Sequence, residues 1–308
     1  MGQEKTVLLL GATGGLGTQI GRAILAKPGV KLRCLVREGS RSKLGELEAA
    51  GAEIVIGDVG PGNEAALEAA CAGVYSVVSA MQGGADVLVD GQMRLFRAAM
   101  KAGVRRFIPS DFSYDHFDLE EGQNPNSDVR RAFARAAAEA RGQSPIELVH
   151  VLCGVFIDHR VLFGFLGAID LQAGKVRVWG DGTAKMDFTT YADTAAFTAE
   201  AALDPEPLPT RFGFAAETLD AEGLARAVSE GVGRPVTVEK LGSLEDLDAE
   251  IARRQEAEPD NYYAWLPLMY WRAMLRGKVR LGALVNGRYP HIRPTTIAGY
   301  LKAGASAG

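Results

Sequence analysis

Seven residues, Gly11 to Gly17, read GATGGLG directly after the apolar run Val7-Leu8-Leu9-Leu10. A buried strand that stops on a glycine-rich turn and continues as a helix is a seat for a dinucleotide's pyrophosphate. Gly11 permits the tight turn, Gly14 lets backbone amides approach phosphate oxygens, and Gly17 lets the following helix pack close to the sheet. Thr13, Gly15 and Leu16 complete the candidate loop. The helix from Leu16 to about Lys27 directs its unsatisfied N–H groups and positive dipole end at the bound anion. A plain strand-to-helix turn is the competing reading, but a second apolar run, Lys31 to Val36, completes a beta-alpha-beta unit of roughly 30 residues.

The end of the second strand selects the nucleotide. An acidic residue there takes the ribose hydroxyls of NAD, whereas an arginine accommodates the 2'-phosphate of NADP. This chain has Arg37 at that place, followed by Arg41 and Lys43. A guanidinium matches phosphate bidentately and keeps its charge near neutral pH, so NADP is expected rather than NAD. The bland alternative is that these cations solvate a loop, with Glu38 weakening their field.

Ligands of an open parallel sheet lie outside the carboxyl ends of its strands. Beyond the glycine loop and Arg37, this selects Asp58, Ala80 to Gln82 (Met81 and Gln82 in particular), Ser110 to Tyr114, and Gly154 to His159. Chemistry would come from the cluster Asp111, Tyr114, Asp115 and His116, with Asp158 and His159 after the next strand. Tyr114 or a histidine can protonate an oxygen as hydride arrives. Equally, Asp111 can satisfy loop donors and Tyr114 can pack under the cap. His150, inside the apolar run Leu148 to Leu152, reads as a hydrogen-bonded core histidine.

The elements that position these residues alternate with regularity. Strands are expected near 5–10, 31–36, 53–57, 74–79, 105–109 and 146–152, and helices near 15–27, 40–50, 63–72, 86–102 and 126–141. Gly51, Gly73 and Gly103 follow helix ends as left-handed caps. The pattern is α/β: a Rossmann, doubly wound parallel sheet at 1–155 with a smaller C-terminal substrate-capping domain at 156–308. Strands near 187–190 and 211–214 are expected to return to the first sheet. The remainder holds an apolar stretch at 161–171, a strand at 176–179, and helices at 191–203, 221–231 and 244–255. Its aromatic segment contains Tyr262, Tyr263, Trp265, Tyr270 and Trp271, which either floor a pocket or pack as a helix.

With 308 residues, 47% hydrophobic, the chain can bury a real core. A net charge of −4 with interspersed signs gives no electrostatic footprint for nucleic acid. Cys34, Cys71 and Cys153 are far apart in apolar contexts, as suits buried thiols in a reducing cytoplasm. Neither the cysteines nor the four histidines have zinc spacing, so no metal is expected. No apolar run approaches membrane-spanning length. Met1-Gly2 with Thr6 matches an acylation pattern, discounted because Gly2 lies so close to the first strand. The tail from Ala303 is expected to fray.

GATGGLG, Arg37, the segment AGVRRFIPSDFSYD from Ala102 to Asp115 and GDGTAKMDFTTYADTAAFT from Gly180 to Thr198 together resemble the NmrA-like and isoflavone reductase-like proteins, atypical short-chain dehydrogenases. The likeness spans nearly the whole chain, and the GxxGxxG spacing is that of this group. The resemblance implies NADP bound by a Rossmann domain, a small substrate domain, and either a reductase of aromatic metabolites and quinones or a silent regulator that senses NADP. It also implies a lysine in the helix after RFIPSDF, where this chain places an arginine, Arg131. No lysine occurs between Lys101 and Lys175. The Tyr-x-x-x-Lys pair of ordinary short-chain dehydrogenases is missing too: Asp118 follows Tyr114 and Ala195 follows Tyr191 at that spacing. Lys185 matches a lysine common in the family, or simply pins a turn.

Two functions fit. One is an NADP-dependent reductase delivering hydride to a small aromatic or quinone-like acceptor, with Tyr114, Arg131 and Asp111 as catalytic candidates. A quinone needs little acid assistance, because its reduced form is a stable phenolate. The other is a non-catalytic NADP(H)-binding redox sensor acting through a protein partner. Under either function the partners expected besides the small molecule are a second copy of the chain, as a homodimer, or a regulatory protein.

Overall fold

The computed structural model describes residues 4–305, so Gly2 and the last three residues of the tail lie outside the described residues. Two compact units share the chain. One comprises Met1–Phe112, Val129–Leu152 and Thr194–Phe212, the other Ser113–Asp128, Cys153–Asp193 and Gly213–Gly308. The division is therefore interleaved, where the sequence reading set one cut at 155/156, because later segments bury their apolar residues alternately in one core or the other.

In the first unit, β1 (Lys5–Leu10), β2 (Val30–Val36), β3 (Glu53–Ile56), β4 (Ser76–Ser79), β5 (Arg106–Ile108) and β6 (Glu147–Leu148) form a sheet of order β3-β2-β1-β4-β5-β6. Every pairing in it is parallel. Because β1 lies between β2 and β4, its residues Val7 to Leu10 are all buried, which explains a strand with almost no polar alternation. The order reverses at β1, making the gap toward β4 the switch point.

Helices α1 (Gly15–Leu25), α2 (Gly45–Ala49), α3 (Glu64–Cys71), α4 (Gln92–Lys101) and α5 (Pro125–Arg141) alternate with these strands. The expected left-handed glycines are found, with φ of +99° at Gly51, +69° at Gly73 and +71° at Gly103. Two helices differ from expectation in the geometry of their first turns. Residues Glu38–Leu44, with Gly39, Ser40 and Ser42 as weak helix formers, make a tight 3-10 stretch before the short α2. A π turn, Asp86–Gly91, precedes α4.

The strand expected over 146–152 divides between two partners. The Val149 N–H donates to Phe107 O at 3.0 Å, and the next, His150 N–H, donates to Thr210 O at 2.8 Å. Successive strand residues point their amides to opposite sides, so β7 (His150–Leu152) pairs with a strand at Arg211–Gly213 and not with β5. One of the two anticipated returning strands thus lies beside the edge of the first sheet. The other, at Met186–Thr189, does not.

That strand belongs to the second unit, where β8 (Val155–Phe156), β11 (Met186–Thr189) and β13 (Glu217–Leu219) form their own sheet around the buried Phe188, with β12 naming Arg211–Gly213. A further sheet joins β9 (Ile169–Asp170), β10 (Lys175–Val178) and β14 (Thr237–Lys240). Helix α6 (Tyr191–Leu203) has the expected bounds, followed by α7 (Ala221–Val232), α8 (Leu244–Ala257), α9 (Leu266–Leu275) and α10 (Ile297–Ala305). Ser243 Oγ accepts from Asp246 N at 3.0 Å and Asp246 Oδ2 accepts from Ser243 N at 2.8 Å, a reciprocal cap that fixes the start of α8. The aromatic segment breaks at Trp265 because Pro267 starts α9 afresh.

The first core is built on Phe96, Phe107 and Phe133. Phe96 stands edge-on to Phe107 at 5.2 Å and to Phe133 at 6.3 Å. Arg106, fully buried on β5, pairs with Glu147 and donates to the carbonyls of Asp204 at 2.9 Å and Glu206 at 2.8 Å. Cys34 and Cys71 are buried, and burial pushes both thiols up to about 12. Among the described residues no helix is long and apolar enough to cross a membrane.

Candidate functional site

The glycine loop has three different local jobs. Gly11 has φ +77°, and a Cβ there would lie 2.3 Å from Ala80 O and 2.9 Å from Met81 N, so its bareness lets the end of β4 close against the end of β1. A Cβ on Gly17 would lie 2.1 Å from Gly11 O, so α1 rests directly on the turn. Gly14 is different: the nearest heavy atom to its virtual Cβ is 3.4 Å away, and the residue is exposed. Its openness faces solvent, the side from which an anion would approach.

Helix α1 begins with no side-chain cap and no acidic residue in its first turn. Gly14 N donates back to Gly11 O at 3.0 Å and Thr18 N donates to Gly14 O at 2.9 Å, which sets the turn and starts the helix. Thr13, Gly15 and Leu16 lie between these bonds, and uncapped N–H groups at a helix start are of the kind that can seat an anion.

Arg37 follows β2 directly and is exposed. Among the described residues its guanidinium has no partner, whereas the nearby Arg41 Nη2 is held 2.9 Å from Glu48 Oε1. Asp58, after β3, spends one oxygen on its own loop: Oδ1 accepts from Gly60 N at 2.6 Å and Asn63 Nδ2 at 2.7 Å. Met81 and Gln82 follow β4. Met81 O accepts from Ser110 Oγ at 2.5 Å, tying the β4 and β5 ends together.

Two residues the sequence reading passed over complete this edge. Gln92, buried at the start of α4, accepts from Ser110 N through Oε1 at 3.0 Å and donates to Leu88 O at 3.3 Å. A lone polar residue on an apolar helix face was the available signal. Arg130 Nε donates to Ser110 O at 3.2 Å and Asp111 O at 3.1 Å, so the arginine of α5 that grips the β5 loop is the neighbour of the anticipated Arg131. Arg131 itself is buried in the first unit.

The catalytic candidates are already engaged. Asp111 Oδ2 lies 2.6 Å from His150 Nδ1, both residues being 2% exposed, so the histidine is the hydrogen-bonded core residue the sequence implied. In the second unit, Tyr114 is buried; its hydroxyl accepts from Asn124 Nδ2 at 3.1 Å and lies 3.3 Å from Ser127 Oγ. Asp115 Oδ1 accepts from Phe117 N, and Asp158 Oδ1 accepts from Arg160 N, both turn-forming bonds.

Tyr114 and Lys185 line a small cavity of the second unit, together with Asp187 and Arg280. Arg280 is neutralised by Asp187, with Nε at 2.8 Å and Nη2 at 3.1 Å, leaving Lys185 without a partner among the described residues. The aromatic segment separates into two roles. Tyr270 packs 5.3 Å from Tyr114 and 5.7 Å from Phe165, while Tyr270 and Tyr262 both share hydrogen bonds with Asn126. Trp271 is core, its indole donating to Leu166 O at 2.9 Å, and Tyr263 is exposed.

The model of the NmrA-like family matches residues 3–266. A phenylcoumaran benzylic ether reductase of Pinus taeda is 31% identical over 224 residues, 68% of each chain. An isoflavone reductase of Pisum sativum is 30% identical over 229 residues, 68% of this chain and 69% of that one. A crystal structure of isoflavone reductase superimposes with a TM-score of 0.80 at 23% identity, covering 98% of this chain and all of the other. A binary complex of leucoanthocyanidin reductase with NADPH from Vitis vinifera gives 0.77 at 21% identity, covering 97% of this chain and 98% of that one. At those identities the structures establish a shared fold.

Proposed function

Since the chain belongs to the NmrA-like family, we propose that it is an NADP-dependent reductase that delivers hydride to a small aromatic or quinone-like acceptor. The observation that carries this reading is the guanidinium of Arg37, without a partner among the described residues and one strand away from an uncapped helix N-terminus. An arginine with no internal carboxylate offers both its charge and its donor fork to a 2'-phosphate. Gly14 keeps the pyrophosphate seat bare, and Gly11 and Gly17 hold its shape. Names of relatives that reduce isoflavones and benzylic ethers point to an aromatic acceptor.

When bound, the reduced nicotinamide supplies the hydride. The chain's own part is to hold and orient. Arg37 would hold the adenosine phosphate, the amides of Gly15 and Leu16 would hold the pyrophosphate, and the tied ends of β4 and β5 would support the other half. Proton delivery is the weak element of the catalytic set: Tyr114's hydroxyl has two neighbours and Asp111's carboxylate faces His150. An acceptor whose reduced form is a stable phenolate suits such a site best. Drawing on NADPH with buried cysteine thiols also fits a reducing cytoplasm.

The engagement of Tyr114 and Asp111 equally favours a second reading, an NADP(H)-binding sensor that acts through a regulatory protein partner. Incubation with NADPH and a panel of quinones and aromatic carbonyls, followed by cofactor absorbance, separates them. Saturable oxidation is the outcome for a reductase; tight nucleotide binding without turnover across the panel supports the sensor, and tighter NADH than NADPH binding overturns the cofactor choice.

A further inference from the structure

Among the described residues every positive φ belongs to a glycine except one: Phe112, at +29°. A phenylalanine has no cheap route into that region, so its surroundings must hold it there. The holders are on both sides of the preceding two residues. Arg130 Nε grips the carbonyls of Ser110 and Asp111, and Gln92 takes the Ser110 amide. Ser110 Oγ anchors to Met81 O, and the Asp111 carboxylate is fixed by His150 at 2.6 Å in a site closed to solvent. With the carboxylate as the acceptor, the tautomer assigned to this pair is the one with Nδ1–H as donor.

The sheet order gives this strained turn a place in the proposed NADP site, on which the inference rests. β2 with Arg37 lies on one side of β1, and β4 and β5 lie on the other. A dinucleotide whose pyrophosphate sits at β1 and whose adenosine phosphate reaches Arg37 extends its other half over the ends of β4 and β5. The end of β5 is two strands from β1, roughly 10 Å at the usual strand spacing. We infer that Asp111, acting through His150, is a positioning residue that holds the strained Ser110-Asp111-Phe112 turn as the rest for the nicotinamide end of the cofactor. Asp111 thereby orients the hydride without donating a proton itself.

His150→Ala and His150→Asn test this in the full-length protein, because the asparagine amide nitrogen can stand close to where Nδ1 stood. The readouts are the single-turnover rate of hydride transfer from NADPH and the affinity for 2',5'-ADP, which probes the adenosine end alone. His150→Ala is expected to slow transfer roughly tenfold or more while moving 2',5'-ADP affinity by less than about twofold, since misplacing a reacting atom costs rate and distant contacts add independently. His150→Asn is expected to recover most of the rate. An unchanged rate in His150→Ala, a parallel loss of 2',5'-ADP affinity, or no recovery in His150→Asn would overturn the inference. If the alanine variant does not fold, Arg130→Lys loosens the same turn and is read in the same way. If the native protein binds NADPH but turns over no acceptor, the ratio of NADPH to 2',5'-ADP affinity is read instead, and an unchanged ratio in His150→Ala sinks the proposal. Native protein that binds neither nucleotide refutes the NADP reading itself, a result distinct from all of these.

Discussion

Arg41 Nη2 lies 2.9 Å from Glu48 Oε1, and this pair divides the two arginines after β2 into one that is spent and one, Arg37, that has no partner among the described residues. Two arginines four residues apart are therefore expected to differ in their effect on nucleotide choice.

Replacing Arg37 by alanine should weaken NADPH binding by about 10–100-fold, the equivalent of roughly 1.5–3 kcal/mol for hydrogen bonds to a charged group. Arg41→Ala should change it little, and NADH affinity should be nearly the same in both. Titration calorimetry of the three proteins with both nucleotides measures this; equal losses for the two arginines would count against Arg37.

Alanine at Gly14 and at Gly11 should separate binding from folding. The Gly14 methyl meets nothing closer than 3.4 Å, so that variant should keep its thermal midpoint while losing nucleotide affinity. At Gly11 the methyl would lie 2.3 Å from Ala80 O with φ at +77°, and stability and affinity should fall together. Thermal melts with and without NADPH distinguish the two patterns.

Arg106→Ala should be severe although it is remote from the glycine loop. The change removes the buried guanidinium from Glu147, which keeps only Arg105 at 3.0 Å, and takes a donor from the carbonyls of Asp204 and Glu206; breaking a pair with a fully buried member costs roughly 3–5 kcal/mol. Urea denaturation gives the number, and a loss below about 1 kcal/mol would class the pair with ordinary surface bridges.

Glu250 gives a pH dependence with a definite sign. Hydrogen bonds from Arg253 and Arg254 hold its carboxyl down to about 2. A carboxylate depressed in the folded state stabilises above its unfolded value, and that contribution is lost as pH falls from about 4.5 toward 2. The groups are near the surface, so the effect should be about 1 kcal/mol or less. Glu250→Gln should flatten this part of the stability profile; an unaltered slope would remove Glu250 as its source.

Much of the first unit was legible because its signals are local. An apolar run beside GATGGLG, glycines after helices and an arginine at a strand end each declare themselves within a few residues, and the parallel order follows from the alternation. The helix expected over 40–50 opens as a 3-10 stretch where weak helix formers cluster, and the one expected over 86–102 starts where foreseen but with π geometry in its first turns. The strand at Met186–Thr189 reads like any buried strand, and nothing in its residues says which sheet it joins.

The chain alone thus determined the doubly wound framework and the glycine turn between β1 and α1, since strand, turn and helix propensities act over short spans. Tertiary structure decided what the polar residues do. Asp111 and His150 are 39 positions apart, and Arg41 is neutralised only because a helix turns Glu48 toward it. Which arginine of α5 grips the β5 loop depends on helix phase against a neighbouring strand. Partners brought together by folding carry no mark of each other in sequence, because their energy arises only once distant segments share one buried space.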